Sequence, residues 1–189
     1  MSSGDGKEIE RKYLVRGDND DWREGTPGKR IRQGYLNKDP ALTVRVRVYG
    51  DDAFLTIKGP SVGASRSEWE DAIPLSAAET ILDAAALPPV LEKTRYRREV
   101  AEYIFEIDEF HGHLEGLITA EVEKPAAELT DDGAHWQPKV QPTWLGQDVT
   151  GYLRYLNSRL PDTAYAQWPE DQRTRSDGTV PEPGARVES

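Results

Sequence analysis

The sequence predicts a protein built mostly of antiparallel β-strands, with few helices. Most of the chain alternates apolar and charged residues with a period of two, which is typical of strands that present different faces. Turn signals of hairpin length, such as Gly50-Asp51-Asp52, separate these segments and favour antiparallel pairing. The pattern fits either an open sheet with one charged, solvated face or a closed barrel with the charges inside.

Alternation of apolar and polar residues predicts the individual strands. The clearest case is the segment 41–49, where three valines occupy one face and Arg45 and Arg47 the other. Gly59-Pro60 ends a later segment. Strands are predicted over residues 8–15, 31–36, 41–49, 54–58, 67–73, 91–100, 103–109 and 117–123.

Helical spacing is confined to a few places. Ser76 and Glu79 have the spacing of a capping box, and the helix they would begin ends at Pro88-Pro89. A final helix is predicted over 149–160, a short one over 126–129, and one helical turn around Trp22. The chain is therefore divided into a domain over 1–168 and a polar tail over 169–189 that is expected to be disordered.

Composition excludes several classes of protein. The 189 residues contain no cysteine, which excludes disulfides and thiolate catalysis. A formal net charge of -10 argues against a general nucleic-acid binder, although it leaves room for a local cationic pocket. No apolar run has the length of a membrane span and no signal-peptide core is visible, so no membrane association and a cytoplasmic location are expected.

The charged strand faces are the strongest functional signal. For a single strand, the simplest explanation is the solvated outer face of a sheet. Several strands, however, repeat two charges of the same sign. Two carboxylates about 4 Å apart repel by roughly 4 kcal/mol at an effective dielectric constant near 20, which a divalent cation would offset. Oxygen ligands suit Mg²⁺ or Mn²⁺, and arginines match phosphate oxygens. The residues placed on this face are Glu8, Glu10, Lys12, Arg45, Arg47, Lys58, Glu68, Glu70, Lys93, Arg95, Glu106, Asp108, Glu121 and Glu123.

These residues also carry a family resemblance. Glu8-x-Glu10-x-Lys12 resembles the ExExK signature of the CYTH superfamily, the triphosphate tunnel metalloenzymes. The short opening strand and the segment Gln33-Gly-Tyr-Leu36 are most similar to the short bacterial tripolyphosphatase branch. The resemblance covers roughly residues 6–160 through Val44–Arg47, Leu55–Gly59, Glu92–Tyr96, Ile107-Asp108, Ala120–Glu123, Gly146–Thr150 and Arg154–Asn157.

The resemblance implies an eight-stranded antiparallel closed β-barrel, open at both ends as a tunnel, with a few peripheral helices. It implies metal ligation by Glu8, Glu10, Asp108, Glu121 and Glu123. It implies substrate binding by Lys12, Tyr35, Arg45, Arg47, Lys58, Lys93 and Arg95. Glu68 and Glu70 would orient these cations or a metal-bound water. The catalytic set is thus expected to be Glu10, Lys93, Glu68 and Glu70.

Some features depart from the branch or have simpler explanations. Tyr152 and Leu153 stand where the branch often has Asp and Lys. His111 and His113 could bind a metal, but a surface turn is favoured because a zinc site would lack ligands. Trp136, Trp144 and Trp168 could form a stacking surface, but packing of the C-terminal helix on the barrel is favoured.

Four functions remain open at this point. The first is hydrolysis of inorganic triphosphate to pyrophosphate and phosphate with Mg²⁺ or Mn²⁺, by a monomer or homodimer with a small-molecule substrate. The second is a class IV-type adenylate cyclase or a nucleoside or thiamine triphosphatase, because fold resemblance does not fix the substrate. The third is a polyphosphate-binding module without turnover, and the fourth is a structural sheet.

Overall fold

The computed structural model describes residues 9–39, 41–62, 65–125, 136–160 and 163–186. The strands are β1 (Glu10–Val15), β2 (Lys29–Asp39), β3 (Leu42–Tyr49), β4 (Asp52–Val62), β5 (Ser65–Ala72), β6 (Leu87–Val100), β7 (Tyr103–Phe110), β8 (Ile118–Glu123) and β9 (Leu145–Asp148). The α-helix is α1 (Leu75–Ala84). Short 3₁₀ turns cover Asp21–Arg23, Gly112–Leu114, Leu153–Tyr155, Tyr165–Gln167 and Glu170–Gln172.

The strands form a nine-stranded sheet in the order β5-β4-β3-β2-β6-β7-β8-β1-β9. The pairings with a defined register are all antiparallel, which confirms the predicted architecture of antiparallel strands with few helices. Closure into an eight-stranded barrel is not found among the described strands, since β5 and β9 end the strand order. Strand β9, which the sequence did not predict, pairs with β1. The edge of β1 that is not paired with β8 is therefore occupied by β9.

The chain divides into two compact units. Among the described residues, the first unit contains Ile9 and those within 30–92, and the second contains those within 10–29 and 93–186. In the first unit, β2 to β5 form a meander whose β3–β4 hairpin turns at Gly50 with φ +63°. Helix α1 packs Ala78 and Leu82 on the apolar face of β3 and β4. The predicted capping box is wrong, because the helix begins after Pro74 and no side chain caps it.

In the second unit, β1, β7 and β8 surround a core of aromatic and β-branched side chains. Phe105 and Ile107 are fully buried in it, and Trp144 packs edge-on against Phe105 with ring centroids 5.4 Å apart. The helical turn predicted around Trp22 is confirmed as Asp21–Arg23, with Trp22 fully buried. Arg23 anchors this loop by donating two hydrogen bonds to the carboxylate of Glu109, at 2.7 and 2.8 Å.

The C-terminal part of the second unit differs most from expectation. The helix predicted over 149–160 is absent. Gly151 has φ +76°, which breaks helical continuity, and the amide of Leu153 donates to the carbonyl of Ala185 rather than to a helical partner. Residues 163–186 also differ from the disordered tail predicted from residue 169. The amide of Gly17 donates to Ser176 and that of Gln147 donates to Gly178, both at 2.9 Å. We call residues 163–186 the C-terminal strap.

Two further predictions concern the chain as a whole. The short helix predicted over 126–129 lies outside the described residues. Within the described residues, no helix is both long enough and apolar enough to cross a membrane. The division into a domain over 1–168 and a separate tail stays a prediction.

Candidate functional site

In the first unit, the predicted cations lie in register on one face of β3, β4 and β5. Strand pairing places Arg45 beside Thr56, and Thr56 beside Glu70. Residues opposite one another in such a ladder share a face, so this row is one continuous polar strip. On the same face Lys58 pairs with Glu68 through a 2.6 Å contact. We call Arg45, Arg47, Thr56, Lys58, Glu68 and Glu70 the arginine row.

Glu70 is the centre of the arginine row. Its carboxylate accepts a 2.5 Å hydrogen bond from the hydroxyl of Thr56 and 3.3 Å bonds from Arg45 and Arg47. Partial burial acts to raise the pKa of Glu70, but the Thr56 hydrogen bond and the two guanidinium charges outweigh it and lower that pKa. The Nε of Arg45 is buried and has no hydrogen-bond partner among the described residues. This buried donor is therefore left unsatisfied by the described residues.

In the second unit, a more deeply buried group forms around Asp108. Its two oxygens accept three short bonds: 2.6 Å from Lys93, and 2.7 Å each from Nε and Nη2 of Arg95. Lys93 and Asp108 are both only 1% exposed. Arg95 also contacts Glu121 at 3.2 Å and pairs with Glu106. We call Lys12, Lys93, Arg95, Asp108 and Glu121 the lysine cluster.

The two partners in the Lys93–Asp108 pair respond differently to burial. Burial lowers the pKa of Lys93 to about 8, helped by the charge of Arg95 and opposed by Asp108. For Asp108, burial acts to raise the pKa, but Lys93 and Arg95 together lower it below its ordinary value. The carboxylate is therefore stabilised in its ionised form, whereas burial makes the charged form of Lys93 less favourable than it is in water.

Lys12 links β1 to the C-terminal part of the chain. Its ammonium lies 2.7 Å from the carboxylate of Glu121 and donates a 2.7 Å hydrogen bond to the carbonyl of Tyr155. Burial acts to lower the pKa of Lys12, but Glu121 outweighs it and raises that pKa. The charged form of Lys12 is thus stabilised, and its ammonium is also held by the carbonyl of Tyr155 in the 3₁₀ turn at Leu153–Tyr155.

The remaining predicted acids lie at the end of the β1–β8 ladder. Glu10 lies opposite Glu123 in the β1–β8 register. The Lys12–Glu121 pair lies two residues further along both strands. Like charges in such a pair destabilise the sheet unless a cation lies between them. Glu8 lies outside the described residues. The described part of the chain contains no group of three or more acidic, histidine or cysteine residues arranged to hold a metal ion.

Tyr35 and two residues that the sequence analysis missed share the face of the arginine row. Tyr35 is buried opposite Arg45, and Gln33 is buried opposite Arg47. The Nε2 of Gln33 has no hydrogen-bond partner among the described residues. Thr56 could have been found from its spacing, since it lies two residues before Lys58 and so on the same strand face. Because its hydroxyl carries no charge, the pattern of repeated charges does not identify it.

The other candidate groups have structural roles. His111 precedes a 3₁₀ turn and its Nε2 lies 2.7 Å from the Thr94 hydroxyl. Trp136 packs against Tyr103, and Trp168 packs edge-on against Tyr165 with ring centroids 5.0 Å apart. The tryptophans therefore pack against other aromatic side chains, and the predicted packing through a C-terminal helix is wrong, because the described residues 149–160 form no such helix.

Comparison with known proteins identifies related sequences over most of the chain. The family model described as the CYTH domain matches residues 6–132. A protein named inorganic triphosphatase from Acetivibrio thermocellus is 42% identical over 165 residues, covering 87% of this chain and 99% of the relative. An inorganic triphosphatase from Nitrosomonas europaea is 37% identical over 155 residues, covering 81% of this chain and 95% of the relative.

A solved structure supports the same relationship. A crystal structure of an inorganic triphosphatase is 34% identical to this chain, with a TM-score of 0.58, and the match covers 82% of this chain and 95% of that one. The region that the family model matches contains β1 to β8, and these strands carry both the arginine row and the lysine cluster. This chain belongs to the CYTH domain family.

Proposed function

We propose that this protein is an enzyme that hydrolyses inorganic triphosphate to pyrophosphate and phosphate with the help of a divalent metal ion. The observation that carries the proposal is the pairing of every predicted cation of the arginine row and the lysine cluster with a carboxylate on a charged sheet face. The two curated relatives named inorganic triphosphatase match this chain over most of their length, which supports the same reaction here.

The cations would bind and orient the substrate. Arg45, Arg47 and Lys58 would hold phosphate oxygens, since arginine forks match phosphate geometry. Lys93 and Arg95 would stabilise the charge that develops on the leaving pyrophosphate. Lys12 would bind substrate, and Tyr35 would contact a terminal phosphate. Glu68 and Glu70 would orient the cations.

The acids of β1 and β8 fit the metal in part. Glu10 and Glu123, opposite each other in register, offer the oxygen ligands that Mg²⁺ or Mn²⁺ prefers, with Glu121 one step away and Glu8 as a further proposed ligand. Asp108 fits less well, because its oxygens are already engaged by Lys93 and Arg95. A bound metal of this kind would supply Lewis-acid stabilisation of phosphate oxygens and a more acidic water.

We propose that the eight-stranded tunnel implied by the family resemblance is the arrangement that binds substrate, and that the protein acts in the cytoplasm as a monomer or homodimer. The tunnel requires the arginine row and the lysine cluster to serve one reaction. Substitutions of the cations in either group should therefore lower the same activity.

The test is a parallel assay of purified protein with inorganic triphosphate, ATP and pyrophosphate, with and without Mg²⁺ or Mn²⁺, in which phosphate, pyrophosphate and cAMP are measured. We expect metal-dependent release from triphosphate and slow turnover of ATP. Arg45→Ala, Lys93→Ala and Glu10→Gln should each lower the rate by about 10²–10³. Arg32→Ala is the matched control, because this arginine lies on the opposite face and pairs with Glu79 and Asp83 of α1.

The outcomes separate the alternatives. A cAMP product would place the protein among adenylate cyclases. Tight triphosphate binding without products would favour a binding module. Near-normal turnover by the site variants would exclude the proposed site.

A further inference from the structure

We propose that Thr56 is a positioning residue that acts through Glu70: it fixes the carboxylate that orients Arg45 and Arg47 toward the substrate. This inference deepens the proposed function and rests on it for the identity of the substrate. Thr56 carries no charge and none of the proposed roles above falls on it. Its place in the fold nevertheless puts it between the acid and one of the arginines.

The register of three strands brings these groups together. On adjacent strands, Arg45, Thr56 and Glu70 are direct neighbours in the ladder. Thr56 is fully buried, so its hydroxyl has no access to solvent and depends on protein partners. It finds two: the hydroxyl donates to Oε2 of Glu70 at 2.5 Å and accepts from Nη2 of Arg45 at 3.1 Å.

The geometry gives the Thr56 hydroxyl a directional role. A hydroxyl has one donor hydrogen, and the guanidinium of Arg45 can only donate, so the hydrogen of Thr56 must point to Glu70. The 2.5 Å O–H···O⁻ contact has the length of a charge-assisted hydrogen bond. Threonine is also β-branched and has few χ1 rotamers in a strand, so the acceptor and donor directions are fixed by the backbone.

The arginines depend on the carboxylate that Thr56 holds. Arg45 reaches Oε2 of Glu70 at 3.3 Å, and Arg47 reaches Oε1 at 3.3 Å. These contacts are longer than the Thr56 bond, so Thr56 is the closest constraint on the Glu70 side chain. A carboxylate that rotates away would release both guanidinium groups, each of which has several rotatable bonds. Removing a hydrogen bond to a buried charged group commonly changes an equilibrium about 10–100-fold.

The charged groups that face Glu70 are Arg45 and Arg47 from β3, Lys58 from β4 and Glu68 from β5. Lys58 and Glu68 pair with each other at 2.6 Å. Loss of the Thr56 hydroxyl would leave these charges in place and remove one hydrogen bond to the ionised form of Glu70. The pKa of Glu70 should then rise toward its ordinary value.

The experiment compares Thr56→Val, which keeps the shape and removes the hydroxyl, with Thr56→Ser, which keeps the hydroxyl. We expect Thr56→Val to raise KM for inorganic triphosphate about 10-fold with little change in kcat, and Thr56→Ser to restore most of the affinity. In a Glu70→Gln background, Thr56→Val should add less than about 2-fold, because the two residues act as one unit. Thr94→Val is the control. Thr94 lies on the face of β6 opposite to Lys93 and Arg95, and the substitution removes the contact of its hydroxyl with His111.

A second readout does not depend on turnover. Titration of Glu70 by carbon-13 NMR should show a higher pKa in Thr56→Val than in wild type, and a wild-type value in Thr56→Ser. An unchanged Glu70 pKa together with unchanged KM in Thr56→Val would overturn the proposal, as would a loss in Thr56→Ser equal to that in Thr56→Val. A wild-type protein that does not hydrolyse triphosphate would refute the proposed function, while the NMR titration would still decide the role of Thr56.

Discussion

Asp108 is the residue whose substitution tests the electrostatic account most directly. In Asp108→Asn the side chain keeps its shape and loses its charge, so the buried ammonium of Lys93 loses the carboxylate 2.6 Å away. Removing one partner of a buried ion pair commonly costs about 3–5 kcal/mol. We expect a loss near the lower limit, about 3 kcal/mol, because burial lowers the pKa of Lys93 and the loss of Asp108 would lower it further, so that Lys93 can lose its proton. Arg95 keeps Glu106 and Glu121 as partners.

The loss can be measured by urea unfolding at pH 7 and by calorimetry. For a chain of this size, about 3 kcal/mol corresponds to a fall in Tm of roughly 6–12 °C. Glu106→Gln is the matched control, since Glu106 also pairs with Arg95 but is one-third exposed. Its loss should be about 1 kcal/mol or less.

A double-mutant cycle makes the test sharper. Lys93→Met should recover part of the stability of Asp108→Asn, because no buried charge is then left without its partner. The coupling between the two substitutions should be about 2 kcal/mol. If the two losses simply add, or if Asp108→Asn costs no more than Glu106→Gln, the interpretation of Asp108 as the anchor of the lysine cluster is refuted.

Two further predictions concern the edges of the second unit. Gly146→Ala should destabilise the protein by about 2 kcal/mol in urea unfolding, because a Cβ would lie 2.5 Å from the carbonyl oxygen of Gly178, whereas Gly17→Ala, whose Cβ would lie 3.8 Å from Ser176, should be nearly neutral. Equal losses would show that the C-terminal strap is not packed there. Arg23 lowers the pKa of Glu109, so its ion pair stabilises the fold above the ordinary pKa of 4.5 and is lost as the pH falls through the lowered value. Glu109→Gln should therefore cost about 1 kcal/mol at pH 7 and progressively less below about pH 4.5, and a loss independent of pH would contradict the ion pair.

The strands and one helix could be predicted because their signals are local. Alternation alone places Arg45 and Arg47 opposite the buried Val46 and Val48, and the structure confirms this arrangement. Strand β9 was missed because it has four residues, one of them glycine, and forms only by pairing with β1. The helix predicted over 149–160 is absent for a related reason. The amide of Leu153 donates a hydrogen bond to the carbonyl of Ala185, which is distant in the sequence. Contacts of this range leave no periodic signal in the sequence.

The candidate site was predicted by charge and only partly by geometry. Repeated charges identified both groups of residues, but not which acid binds which cation. The family resemblance assigned Asp108 to the metal, a role that stays a prediction, whereas the structure places its carboxylate against Lys93 and Arg95. Thr56 and Gln33 carry no formal charge and became visible only through burial and register.

The ion pairs also explain how a protein of net charge -10 can present cations to a polyanion. In both groups each cation is held by carboxylates, so the sheet avoids the repulsion that would follow from several neighbouring positive charges. A triphosphate can bind only by competing with those carboxylates, and a divalent metal that takes up carboxylates of β1 and β8 would lower the cost of that exchange. The acids and the metal therefore act on the same equilibrium. Affinity for triphosphate should accordingly rise with metal concentration in the wild type, and this dependence should weaken in Glu10→Gln, where one of the proposed metal ligands has lost its charge.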